Sequence, residues 1–107
     1  MKKRIYLLST LLPVLGFLFA APAFSAEADL VKAEKVYKRS CATCHGKQGE
    51  KPAMGESKII NQLKPEEIST ALSERKAGNI PSAGSPAKQR LSEQDIHNLS
   101  EYIQTLK

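Results

Sequence analysis

Both cysteines of the chain and one of its two histidines fall within five residues, in Cys41-Ala42-Thr43-Cys44-His45. Two thiols and an imidazole so close together can bind a metal, cycle as a dithiol, or anchor a haem. A structural zinc site needs four ligands, commonly Cys and His. The other histidine, His97, lies about 170° from the apolar centre of its own helical stretch at about 100° per residue, so it is expected to face solvent. A thioredoxin-like CxxC follows a strand and opens a helix in a βαβ setting. Here the motif follows a helical pattern, and no strand-like alternation is visible anywhere. A plain disulfide pair beside a surface histidine is the remaining bland reading. Covalent haem attachment through C-x-x-C-H gives all three residues a role. Positions i and i+3 of a helical turn project to the same side, with Cβ atoms about 5–6 Å apart. Cys41 and Cys44 can then both form thioethers with the vinyl groups on one porphyrin edge, and His45 can swing under the ring as the proximal axial ligand of the iron.

The elements that must position this motif are helical. Leu30, Ala33 and Tyr37 recur at i, i+3, i+7 with Val36 beside them, which predicts a helix from about Asp29, as N-cap, to Ser40. A Gly- and Lys-rich loop, GKQGEKPAMGES, follows the motif, with a short turn expected at about Ser57 to Gln62. Pro65, Glu66 and Glu67 open a second helix running to about Lys76, with Ile68, Ala71 and Leu72 as its apolar stripe and Gly78 ending it. The stretch GNIPSAGSPAK holds two Gly, two Pro and two Ser and reads as a loop. The last helix begins at Ser92, with Asp95 completing a weaker form of the capping box. Its apolar face is Ile96, Leu99, Ile103 and Leu106, flanked by Tyr102. The expected fold class is all-α.

The ends and the composition bound what this helical unit is. Lys2, Lys3 and Arg4 precede an apolar run from Ile5 to Phe19, and small residues follow in AAPAFSAEA. This is the layout of a secretory signal peptide, expected to span residues 1–25 with cleavage between 25 and 28, leaving one domain at 29–107. Removing the three basic residues lowers the formal charge from +5 to +2, and no basic run is interleaved with aromatics, so nucleic acid is not an expected partner. The mature chain would keep only Tyr37 and Tyr102 as aromatics. A chain of roughly 80 residues with so few large side chains struggles to close its own core. A large, flat, apolar cofactor would complete it.

The sequence resembles the class I c-type cytochromes, the small single-haem bacterial proteins, over nearly all of Asp29 to Lys107. Besides CATCHGKQGE, the resemblance rests on Tyr37, four residues before Cys41, and on the pair Leu99 and Tyr102. Ala33 stands where the family usually has Gly. The resemblance implies three main helices around one covalent haem c, with the N- and C-terminal helices crossing. It implies that the Pro52 carbonyl accepts the second N–H of His45. It also implies a periplasmic, monomeric one-electron carrier in a respiratory chain, not an enzyme, with redox proteins as transient partners. Lys47, Lys51 and Lys58 are candidates for steering an acidic one. The chain departs from the pattern at the sixth ligand. Family members usually place a Met in the loop before the last helix, and this loop has none. Met54 is expected to pack on the core or on the haem. Lys76 and Lys88 flank the loop, but a lysine must lose its proton to bind iron. The distal ligand is thus unnamed, and an open or water-bound distal site is expected. With it comes an alternative function, a haem-based ligand-binding or sensor protein or a weak peroxidase.

Overall fold

A computed structural model describes residues 27–55 and 57–106, together with the isolated Pro13 and Gly16. The expected signal segment thus lies almost wholly outside the described residues. Among them the chain is helical, with no strand: α1 Leu30–Ser40, α2 Ala42–His45, α3 Pro65–Lys76, α4 Ser85–Gln89 and α5 Glu93–Ile103, with single 3-10 turns at Ala53–Gly55 and Ile60–Gln62.

Each long helix starts with residues that suit the free N–H end of a first turn. Asp29 accepts the Lys32 N–H at 3.0 Å and so begins α1. Pro65 opens α3, where its missing N–H costs nothing, and Glu66 and Glu67 sit at the positive end of the helix dipole. Ser92 and Asp95 form a reciprocal capping box on α5, with both N–H bonds at 3.0 Å. Gly78, just past α3, takes a φ of +82°, a left-handed conformation that favours glycine at a helix end.

Packing centres on the crossing of α1 with α5, and α3 packs on α5 from another side. Ala33, Val36 and Tyr37 of α1 meet Ile96, Leu99 and Ile103 of α5, all buried, with Leu91 and Leu106 at the edges. Fully burying each large side chain stabilises the fold by roughly 1.5–3 kcal/mol. The Tyr37 and Tyr102 rings meet with centroids 5.7 Å apart and planes tilted by 56°, within the favoured aromatic range. Ala33 is only 1 % exposed, so the crossing accommodates its methyl group where the family usually has glycine. Polar links fix the register of the two helices. Buried Asn98 accepts the Asp29 N–H at 2.9 Å through Oδ1, and Lys32 pairs with Asp95 at 3.2 Å.

The structure departs from the sequence reading in two places. Leu30 shares the helical face of Ala33 and Tyr37 yet is 42 % exposed, because it lines a shallow groove with His97, Glu101 and Gln104 instead of entering the core. The stretch expected as a loop contains α4. Ser85 Oγ accepts the Ser82 N–H at 2.8 Å, and Pro86 then fixes a helical φ in the first turn. The resulting short helix packs against α3.

Candidate functional site

The motif is built on a joint between two helices. Cys41 ends α1, its N–H bonded to the Tyr37 carbonyl at 2.8 Å, and its carbonyl accepts the His45 N–H at 3.0 Å to start α2. Cys44 follows one helical turn later, so both thiols sit on this turn, Cys41 half-buried and Cys44 exposed. Neither forms a disulfide. Among the described residues no group of three or more His, Cys, Asp and Glu side chains is gathered as a metal site.

His45 is held by its backbone. Its carbonyl accepts the Lys51 N–H at 2.9 Å, and the carbonyl of the next residue, Gly46, accepts the Tyr37 hydroxyl at 2.6 Å. Tyr37 is wholly buried, and burial raises its pKa to about 12, with the nearby Cys41 and Glu50 adding to the rise. It therefore stays a neutral donor. Gly46 itself has φ +85° and ψ 161°, and a Cβ there would collide with the Glu50 carboxylate. That carboxylate accepts the Gln48 N–H at 2.8 Å and closes the loop. The sequence marked Tyr37 as a packing aromatic; its role as an anchor for the motif needs the Cys41 joint, which no local pattern announces.

The imidazole is half-buried. Its Nδ1 is buried with no hydrogen-bond partner among the described residues. The Pro52 carbonyl, expected to accept from His45, instead accepts the Gly55 N–H at 2.9 Å, because the chain turns there into the Ala53–Gly55 3-10 turn. Burial lowers the His45 pKa, and the cations Lys88 and Arg75 lower it further. The ring is thus neutral at ordinary pH, with a lone pair available for a metal. Burial raises the Cys41 pKa, with Cys44 adding to the rise and Lys88 opposing it. Two free thiols on one turn, a neutral imidazole and an unsatisfied Nδ1 form a donor set that suits a covalently held haem.

Two of the other candidate ligands, Met54 and His97, are exposed. Met54 stays out of the protein core: it is 77 % exposed on a turn with φ +55°. His97 is exposed on α5, as its helical position predicts. Lys47, Lys51 and Lys58 are all exposed on the loop after the motif, where they can meet a partner.

An all-α chain with crossing terminal helices and a CxxCH turn defines the small class I c-type cytochromes, and this chain belongs to that family. Residues 28–103 match the family described as cytochrome c oxidase, cbb3-type, subunit III. The chain is 44 % identical over 75 residues to cytochrome c-553 of Helicobacter pylori strain ATCC 700392 / 26695, covering 68 % of this chain and 77 % of that protein. It is 34 % identical over 91 residues to cytochrome c-554(547) of Halothiobacillus neapolitanus, covering 74 % of this chain and 98 % of that protein. The protein is a monohaem c-type cytochrome, an electron carrier whose cofactor is covalently bound haem c.

Proposed function

We propose that Cys41 and Cys44 carry the two thioethers, that His45 Nε2 is the proximal iron ligand, and that the protein works in the periplasm as a one-electron carrier of a respiratory chain. The observation that carries this reading is the α2 turn itself, with two unbridged thiols and a neutral imidazole held on one short helical turn. When bound, the haem supplies a ferric/ferrous couple of one electron. The chain holds and shields it. Lys51 and Tyr37 pin the successive carbonyls of His45 and Gly46, so the backbone that carries the imidazole need not reorganise between oxidation states. The half-buried faces of α3 and α4 wall the site from bulk water and lower its dielectric.

The remaining parts of the reading follow from the sequence. Residues 1–25 act as a signal peptide, removed between 25 and 28, so the mature carrier is exported. Among the described residues no helix is long and apolar enough to cross a membrane. The carrier is a monomer that catalyses no reaction of its own and meets redox proteins briefly, with Lys47, Lys51 and Lys58 steering an acidic surface.

The test is a pyridine haemochrome assay on protein exported by cells that carry out c-type maturation. One covalent haem per chain is expected in the native protein and none in the Cys41→Ser, Cys44→Ser double variant. Covalent haem surviving in the double variant would overturn the assignment.

A further inference from the structure

The loop that leaves the motif, Gly46 to Lys51, contains no helix, so its shape rests on single hydrogen bonds. Within it, the Gly49 N–H donates to the Gly46 carbonyl at 3.2 Å, and the Lys51 N–H donates to the His45 carbonyl at 2.9 Å. Two side chains reach its backbone from outside. Tyr37 comes from α1 and holds the Gly46 carbonyl. Asn61 comes from the 3-10 turn Ile60–Gln62, on the other flank of the loop.

Asn61 makes a double contact. Its backbone N–H donates to the Gly49 carbonyl at 3.2 Å, and its Nδ2 donates to the Gln48 carbonyl at 2.9 Å, 13 positions away in the chain. Packing closes the same joint. Gly49 has φ +65°, and a Cβ there would stand 3.1 Å from Ile60 Cγ1 and 3.4 Å from the Asn61 Cβ. The loop therefore lies directly on the turn. Hydrogen bonds run without a break from Asn61 to Gly49 and from Gly49 to Gly46, the peptide neighbour of His45. A loop fixed only at its Gly46 end can pivot about that end. Fixed at Gln48 and Gly49 as well, it cannot.

We propose that Asn61 is a positioning residue for His45, acting through Gln48 and Gly49 to lock the loop that carries the imidazole. The inference rests on the reading of His45 as the proximal iron ligand. Tyr37 and Asn61 then grip the loop from two elements, α1 and the 3-10 turn, and the imidazole keeps one orientation in both oxidation states.

The test compares native holoprotein with three variants. Asn61→Ala removes the Nδ2 donor and keeps the backbone N–H. Asn61→Asp keeps the shape but turns only acceptors towards the Gln48 carbonyl. Ser92→Ala, at the cap of α5, removes one side-chain hydrogen bond elsewhere and serves as the comparator. Pyridine haemochrome first counts covalent haem, and a native chain without it refutes the haem reading and this inference with it. Proton NMR of the ferric proteins then reads the His45 side chain, whose resonances are displaced by the iron's unpaired electrons and depend on the ring's orientation. Both Asn61 variants should shift these resonances, and Ser92→Ala should leave them in place. Deuterium exchange of the Gly49 and Lys51 amides should rise about fivefold in the Asn61 variants, the weight of one net hydrogen bond, and stay near the native rate in Ser92→Ala. His45 resonances that stay put in the Asn61 variants, or that move equally in Ser92→Ala, would refute the positioning role, as would an equal rise in exchange in all three. Loss of the folded holoprotein in both Asn61 variants would make the residue a support of the whole fold and refute the local role.

Discussion

Replacing Tyr37 with phenylalanine tests how the fold holds its iron-binding turn. The substitution keeps the ring and its contact with Tyr102 and removes only the hydroxyl that donates to the Gly46 carbonyl at 2.6 Å. Gly46 is buried, so its carbonyl would be left without that donor in a dry setting. Stranding a buried acceptor costs about 1–3 kcal/mol. Urea slopes for a domain this small are near 1 kcal/mol per molar, so the unfolding midpoint should fall by about 1 M or more with the slope unchanged. The same hydroxyl makes a second, pH-dependent statement. Its pKa rises from 10.0 to about 12 on folding, chiefly through burial. A group whose pKa is raised by folding contributes fully below the unfolded value and loses that contribution as pH climbs through the folded one. The window is therefore pH 10 to 12, and for this wholly buried side chain a rise of this size corresponds to roughly 3 kcal/mol at about 1.4 kcal/mol per pH unit. The Tyr37→Phe variant has no hydroxyl to ionise at this position, so the stability gap between native and variant should close across that window. Holoprotein unfolding curves at pH 8, 10, 11 and 12 measure it. A gap that is absent at pH 8, or that stays constant to pH 12, would refute the anchoring role assigned to Tyr37.

Three further substitutions probe separate links. Ser92→Ala removes one half of the α5 capping box and should lower stability by about 1 kcal/mol in denaturant unfolding. Gly46→Ala puts a side chain at φ +85°, ψ 161° and against the Glu50 carboxylate, and should cost about 1–3 kcal/mol. Adding Glu50→Ala should recover only part of that loss, because the backbone strain remains. Cys44→Ser leaves one thioether at Cys41 and one unsaturated vinyl, so the reduced pyridine haemochrome band should move to longer wavelength, towards that of a non-covalent haem.

What the sequence disclosed was local. Cys41, Cys44 and His45 stand within one turn, so their spacing alone describes their geometry. The start of α5 was legible for the same reason, since Ser92 and Asp95 need only each other. The span Pro65 to Lys76 was legible because Pro, the two Glu and the later Gly mark both ends. The illegible parts depend on partners distant in the chain. Nothing in GNIPSAGSPAK signals a helix, since α4 needs the Ser82–Ser85 turn and the flank of α3 to form. Met54 reads as a packing residue by type, but the 3-10 turn keeps it out of the protein core. Pro52 looked like the acceptor for His45, but a carbonyl's direction follows from the turn it enters.

The composition raised a question about the core, and the buried set answers it in part. Among the described residues the buried apolar side chains come mainly from α1 and α5, while α3 contributes only Ile68. Yet Ala71 to Lys76 are all half-buried, as are Cys41, His45 and Lys88. A helix that packs on its neighbours and still leaves most of its length half-covered faces an unfinished wall. The thiols and the imidazole lie on that wall, and the cations Arg75 and Lys88 come from α3 and α4. The two terminal helices thus supply most of the closed core, and α3 leaves a half-covered face that a flat apolar cofactor would complete. This division explains how the stretch before α5 can lose a methionine without loss of the fold. Among residues 78–88 only Ser85 is buried, so the α1–α5 crossing draws little from that stretch and stays as it is when its residues change.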